Sequence, residues 1–349
     1  MGIFAEVEIV KTIYVLGGNG FLGMHLCKRL KDDGHYVVSV SRRYPPHAEH
    51  PADEHHIQDL TRPFIFSPMH EVEAVYQLAG EVGGLGLIQD ARNDFMIMDR
   101  STRINLNTME ACRKGEVGKV FFASSACVYP DLRVEPENVE YDLLDMRNVK
   151  RNPGYTPEWA AYPAEPINAF GWEKLYAERM WQAFGAETGC EVRIGRMGNT
   201  YGPYCTWEGD RAKAVASICR KVAETRYGGS FPVWGDGKAV RSFTYVDDVV
   251  EGIMRLMASD YNLPLNIASA VATTIDELCA RTCDAAGKIM AWTYGPGPVG
   301  VRGRVSDNML IRQVLGWEPQ TSLREGLKKT YPWIREQVDK ATQKAMITS

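Results

Sequence analysis

Lys11-Thr12-Ile13-Tyr14-Val15-Leu16-Gly17-Gly18-Asn19-Gly20-Phe21-Leu22-Gly23 is the stretch that decides the fold. A β-rich run at 11–16 ends in a glycine turn, and 21–31 continues with apolar residues at helical spacing. Gly17, Gly20 and Gly23 meet three needs of a dinucleotide turn: a tight bend, close approach of backbone to pyrophosphate, and helix–strand packing. Phe21 and Leu22 open the helix, whose N-terminus offers unpaired N–H groups and a positive dipole end to phosphate. A glycine triplet alone is weak; the strand–turn–helix setting gives it meaning.

Outward from that turn the pattern repeats. Residues 36–40 and 74–78 are again β-rich, 100–113 reads as a long helix, and 120–123 is an apolar strand. A helix over 173–187 then leads into a strand at 191–195. Near-continuous apolar strands separated by helices predict an α/β fold: a doubly wound parallel sheet of Rossmann type. Beyond Gly198, loops rich in Gly, Pro and Trp separate shorter helices at 247–257, 275–286 and 323–338. These predict a smaller C-terminal substrate-binding lobe. The expected division is residues 11–198 for the dinucleotide domain and 199–345 for the lobe, interlocked. The stretch 129–166, rich in Pro and charge, reads as an insertion over a site rather than a linker.

The net charge of −4 offers no basic face for nucleic acid. No apolar run approaches membrane-spanning length, and the first ten residues do not read as a secretory signal. Eight cysteines occur with no Cys-x-x-Cys pair, so a reducing, cytoplasmic setting is expected. Cys279 and Cys283 are four apart on a helix, but no further ligand joins them. They read as packing residues, and no metal is expected.

Ribose preference is read after the second strand, where an acidic residue would bind the 2′-hydroxyl of NAD. Here the sequence is Ser41-Arg42-Arg43, whose hydroxyl and two guanidiniums suit a 2′-phosphate, favouring NADP over NAD. Asp59-Leu60 and Ala79-Gly80, after the third and fourth strands, resemble adenine- and phosphate-side contacts.

The strand at 120–123 runs into Ser124-Ser125-Ala126-Cys127-Val128-Tyr129-Pro130, and Phe170-Gly171-Trp172-Glu173-Lys174 follows downstream. Together they resemble the extended short-chain dehydrogenase/reductase superfamily. That resemblance implies that Ser125 contacts the substrate hydroxyl, Lys174 holds the nicotinamide ribose, and Phe170 occupies the position of a catalytic tyrosine. More specific phrases are similar to the GDP-mannose 3,5-epimerase family. They include Gly83-Gly84-Leu85-Gly86-Leu87-Ile88-Gln89, Pro163-Ala164-Glu165-Pro166 and Gly195-Arg196-Met197-Gly198-Asn199-Thr200-Tyr201-Gly202-Pro203. Thr206-Trp207-Glu208-Gly209-Asp210-Arg211-Ala212-Lys213-Ala214, Arg241-Ser242-Phe243-Thr244 and Val301-Arg302-Gly303-Arg304 continue the likeness over nearly the whole chain after residue 11.

That family resemblance implies a tightly bound, recycled dinucleotide, a GDP-sugar substrate and a homodimer paired through the helices near 100–113 and 173–187. Oxidising C4 of a hexose to a ketone makes the C3 and C5 hydrogens acidic. Inversion then needs an acid/base on each face of the ring. The resemblance assigns those roles to Cys127 and Lys213, whose thiol and amine can be tuned by burial. It places Gly84, Gln89, Ser125, Asn199 and Lys213 on the substrate, with Arg241, Arg302 and Arg304 as forked donors for diphosphate or guanine.

Three features depart from the family: Phe170, the Ser41-Arg42-Arg43 run, and a segment between Tyr129 and Phe170 that reads as longer. Phe170 has the ring of tyrosine without its hydroxyl. It is either a substitution that arrests turnover or a natural residue in a site using another base. The alternative activities are a C4-epimerase, dehydrogenase or reductase on another GDP-linked sugar, or a nucleotide-sugar binder without catalysis.

Overall fold

The computed structural model describes residues 10–45, 50–131, 155–298 and 300–348. Most of the expected insertion at 129–166, residues 132–154, therefore lies outside the described residues.

The N-terminal half alternates strands and helices. β1 (Val10–Leu16), α1 (Phe21–Asp32), β2 (Tyr36–Ser41), β3 (Glu54–Ile57) and β4 (His70–Gln77) come first. The short helix α2 (Leu85–Ile88) and the long α3 (Asp94–Lys114) lead to β5 (Lys119–Ser125). After the two-residue β6 (Tyr155–Thr156) come α4 (Ala169–Thr188), β7 (Glu191–Met197) and β8 (Asn199–Tyr201). The remainder is α5 (Ala214–Glu224), β9 (Ser230–Trp234), β10 (Val240–Arg241), β11 (Phe243–Tyr245), α6 (Val246–Ala258) and β12 (Leu265–Ile267). Then follow β13 (Thr273–Thr274), α7 (Ile275–Ala286), β14 (Ala291–Gly295), β15 (Gly303–Ser306), α8 (Met309–Leu315) and α9 (Leu323–Thr348).

Seven strands form one parallel sheet in the order β12-β7-β5-β4-β1-β2-β3. The order reverses between β1 and β4, and the crevice at their carboxyl ends is the natural ligand site of such a sheet. Both faces are buried, which is why the strands read as unbroken apolar runs. Tyr14 and Leu16 of β1 pack toward Ile104 of α3 and Trp181 of α4, whereas Ile13 and Val15 pack toward Leu26 and Leu30 of α1 and Val249 of α6. The seventh strand, β12, comes from the C-terminal half, so the two halves of the chain share one sheet.

The C-terminal residues build a separate core from α5, α7 and α9, with Val215, Cys219, Leu278, Cys279, Leu327 and Ile334 fully or nearly fully enclosed. Cys279 and Cys283 both lie in this core. A four-stranded sheet, β13-β10-β15-β6, borders it and carries arginines at adjacent register positions of β10 and β15. Among the described residues, no helix is long and apolar enough to cross a membrane.

One buried ion pair ties the sheet to its flanking helix. Arg196 of β7 donates through Nε and Nη2 to the Glu178 carboxylate of α4 at 2.9 and 2.7 Å. Its Nη1 reaches the Glu158 carbonyl at 2.6 Å and the Tyr129 hydroxyl at 3.1 Å. That hydroxyl in turn donates to Asn266 of β12 at 2.6 Å. The network thus joins β7, α4, β12 and the turn that follows β5. Glu178→Ala leaves the guanidinium buried and unpaired and is expected to cost about 3–5 kcal/mol. Urea denaturation checks this, and a loss below 1 kcal/mol would show that Arg196 finds water instead.

Candidate functional site

The site lies at the carboxyl ends of β1, β4 and β5. Gly17 has φ of +85°, and a Cβ there would stand 3.0 Å from the Ala79 nitrogen, so only glycine lets β1 and β4 run this close. A Cβ at Gly23 would meet the Gly17 carbonyl at 2.4 Å, which seats α1 directly on the turn. Gly20 is the N-cap of α1 and supplies no side-chain cap. The first-turn N–H groups therefore keep their donors for an anion. Phe21 and Leu22 pack against the C-terminal core and fix the angle of α1. These residues fit a dinucleotide pyrophosphate.

The ribose end is more entangled. The Ser41 hydroxyl accepts from the Asn19 backbone at 3.1 Å, and the Arg43 carbonyl accepts from the Asn19 side chain at 2.7 Å. Both positions thereby brace the glycine turn. The Arg43 side chain is exposed, while Arg42 Nη1 lies 3.0 Å from the Glu81 carboxylate. Asp59 folds onto its own turn, accepting from the Thr61 nitrogen and hydroxyl, and these bonds hold its carboxyl below the usual range. Leu60 is buried in the core beside α3. Ala79 and Gly80 line the crevice, and a Cβ on Gly80 would come within 3.4 Å of the Lys174 ammonium.

At the end of β5, the Ser125 hydroxyl accepts from the Cys127 nitrogen at 3.1 Å, starting a single tight turn that holds Cys127. The first turn of α4 docks against that turn. Gly171 makes this possible, because a Cβ there would lie 2.2 Å from the Cys127 carbonyl. Asn168 caps α4 by accepting from the Gly171 nitrogen at 2.9 Å. One turn along, the Lys174 ammonium stands over the Phe170 and Phe122 rings, 5.7 and 5.1 Å from their centroids. Phe170 is only 5 % exposed, clustered with Leu87, Ile88, Ile97 and the partly buried Cys127. The Phe170 ring is thus well packed in this cluster.

Lys213 precedes α5 and comes near Cys127. Burial pushes its ammonium below the ordinary lysine range, with the Cys127 and Cys205 thiols opposing that shift. The segment before it is clasped by the loop after β4. The Gly84 nitrogen donates to the Arg211 carbonyl at 3.1 Å, and a Cβ on Gly84 would collide with the Ala212 carbonyl at 2.3 Å. Gln89 approaches Arg241 across Gly300, whose hypothetical Cβ would meet the Gln89 and Arg241 side-chain nitrogens at 3.4 and 3.3 Å.

Arg241 and Arg304 are register partners on β10 and β15. Burial and the neighbouring Arg304 charge bring the Arg241 guanidinium down to about 10, with Cys127 and Asp131 acting against it. Arg304 donates to the Tyr129 carbonyl at 3.0 Å, while its buried Nε has no hydrogen-bond partner. Arg241 donates to the Val240 and Val301 carbonyls, and two cations side by side suit an anionic ligand. Arg302, just before β15, instead pairs with Asp236 at 2.9 Å near the surface. Asn199 is turned onto the Ser242 carbonyl at 3.0 Å.

Two buried carboxylates at the site escaped the sequence reading. Glu81 contacts Arg42, Arg100 and Arg211. Glu173 lies 3.4 Å from the Lys174 ammonium, accepts from Asn105 at 3.1 Å, and is pushed upward by burial. Each adjoins a residue singled out above, Gly80 and Lys174. That adjacency was the available signal.

Comparison with known proteins places the chain in a family. Residues 13–268 match the NAD dependent epimerase/dehydratase family. A GDP-mannose 3,5-epimerase of Arabidopsis thaliana is 39 % identical over 335 residues, covering 95 % of this chain and 84 % of that protein. A GDP-mannose 3,5-epimerase 1 of Oryza sativa subsp. indica is 38 % identical over 331 residues, 94 % and 82 % of the two chains. The crystal structure of UDP-glucose 4-epimerase with UDP-glucose from Thermotoga maritima superposes with a TM-score of 0.78 at 26 % identity, covering 94 % of this chain and 99 % of that one. The chain belongs to the NAD dependent epimerase/dehydratase family and, within it, to the GDP-mannose 3,5-epimerase family.

Proposed function

We propose that the protein is a nucleotide-sugar epimerase that inverts C3 and C5 of GDP-mannose or a close GDP-sugar through a transient C4 ketone. The observation that supports this reading is the grouping around Cys127: it packs in one cluster with Phe170 and interacts electrostatically with Lys213 and with Arg241 of the Arg241–Arg304 pair. NAD(P), when bound, would supply hydride removal and return at C4. Gly17, Gly20 and Gly23 cradle its pyrophosphate, and Lys174 holds the nicotinamide ribose. Cys127 and Lys213 act from opposite faces of the ring, one removing a proton at carbon and the other delivering one. Arg241 and Arg304 neutralise the diphosphate, with Ser125, Gly84, Gln89 and Asn199 orienting the sugar. Arg302 is assigned to the outer edge of the nucleotide, where its pair with Asp236 opens to admit it.

Phe170 stands where a phenol would take the C4-hydroxyl proton. Restoring it by Phe170→Tyr is expected to raise turnover of GDP-mannose by about 10²–10⁴-fold. Run in deuterated water, the restored enzyme puts label at C3 and C5. In that background Cys127→Ala or Lys213→Met abolishes inversion, while the surviving group still washes label into the unchanged sugar. Label absent from both carbons sinks the 3,5-epimerase reading. No turnover of any GDP-sugar, with binding retained in calorimetry, establishes a binder without catalysis.

Ser41, Arg42 and Arg43 support NADP as the resident dinucleotide. Denaturing the purified protein and weighing what is released is expected to give NADP; NAD alone overturns that preference.

We assign the protein a cytoplasmic homodimer paired through α3 and α4. These helices expose Phe95, Met98, Leu106, Trp172 and Tyr176, from 42 to 82 % of each residue being accessible in the single chain. Tyr176→Glu is expected to yield a monomer in light scattering; an unaltered dimer places the contact elsewhere.

A further inference from the structure

Glu81 is buried at the carboxyl end of β4, with its side chain 1 % exposed, yet three half-exposed guanidiniums reach it from separate parts of the chain. Arg42 arrives from the end of β2 at 3.0 Å and Arg100 from α3 at 3.3 Å, both on Oε1. Arg211, two residues before Lys213, takes Oε2 at 3.0 Å. Arg211 also donates to the Val82 carbonyl at 3.0 Å, and its own carbonyl accepts from Gly84. The Glu81 backbone is itself pinned, donating to the Ser101 hydroxyl at 3.1 Å.

The charge balance makes this cluster more than a clasp. Three cations share one carboxylate, so they compete for it and repel one another. The carboxylate cannot shift, because both its backbone and its burial hold it. Whatever draws one arginine away leaves more of the charge to the other two. Arg42 is the one that flanks the ribose end of the crevice, and Arg211 is the one that seats the segment carrying Lys213.

We propose that Glu81 is a positioning residue coupling the ribose end of the dinucleotide to the seating of Lys213. A dinucleotide phosphate or hydroxyl that takes Arg42 frees Glu81 to grip Arg211, and the segment before α5 tightens. The acid/base amine is then set firmly only when the dinucleotide is in place. The coupling is reciprocal: a segment seated by substrate makes Arg42 easier to withdraw. The proposal rests on the roles given above to Arg42 and Lys213.

Trypsin cleavage at the Arg211–Ala212 bond reads the seating without any turnover. In protein freed of dinucleotide, Glu81→Gln is expected to be cut about two- to fivefold faster than the parent chain. Arg42→Ala is expected to be cut slower by a similar factor, because it mimics withdrawal of that arginine. NADP slows cleavage of the parent chain and has no further effect on Arg42→Ala. A purely structural ion cluster predicts the opposite sign, with Arg42→Ala cut as fast as the parent or faster; that result overturns the proposal. Arg42 is half-exposed, so this arm decides even where Glu81→Gln fails to fold. In the Phe170→Tyr background, Glu81→Gln lowers kcat with the sugar-nucleotide KM held within about twofold, and Glu81→Asp restores part of it. Absence of turnover there removes the epimerase reading, while the trypsin result still decides the coupling.

Discussion

The close approach of β1 and β4 at their carboxyl ends sets the geometry of everything around it. Gly17 lies so near the Ala79 nitrogen that no other residue fits, and Gly23 lies as near the Gly17 carbonyl. Those two contacts fix where α1 begins and which way its free N–H groups point. They also leave the crevice between β1 and β4 open, because α1 and α3 depart to opposite faces of the sheet. Ser41, Gly80 and Ser125 then reach the crevice as the ends of the neighbouring strands. The site is a consequence of sheet order before it is a set of side chains.

This level of organisation was legible in the sequence for a physical reason. Strands buried on both faces must be apolar throughout, and the helices between them carry a period that the eye can follow. The reading becomes poorer where stability is borrowed from tertiary packing. β10 and β13 are two residues each and have no pattern of their own. The α5 helix gives no start signal, because Lys213 precedes it without a side-chain cap, although its buried face holds Val215, Ile218, Cys219 and Val222. The α9 helix runs ten residues past the expected end at Val338. Its apolar period fades there, but i,i+4 pairs such as Arg335–Asp339 and Glu336–Lys340 lie along the polar continuation.

The site divides in the same way. Glycines and the Phe170–Lys174 spacing are local and could be read in line. Buried charge could not, because its partners are remote in sequence. Glu81 meets arginines 39 residues before it and 130 after it. Arg241 and Arg304 acquire their meaning only when β10 and β15 lie side by side. Arg302, two residues before Arg304 and just outside β15, pairs instead with Asp236. Strand alternation alone would put the two arginines on one face, so it is the start of the strand at Gly303 that separates an enclosed arginine from an exposed one.

Phe170 is fixed by packing alone. The ring is held by Leu87, Ile88 and Ile97 and lies under the Lys174 ammonium. None of these contacts requires a hydroxyl. The docking of α4 depends on Gly171 meeting the Cys127 backbone, so the ring at 170 and the sulfur at 127 are placed by one and the same contact. One helix–turn junction therefore fixes the spacing between the ring at 170 and the sulfur at 127, whatever chemistry each performs.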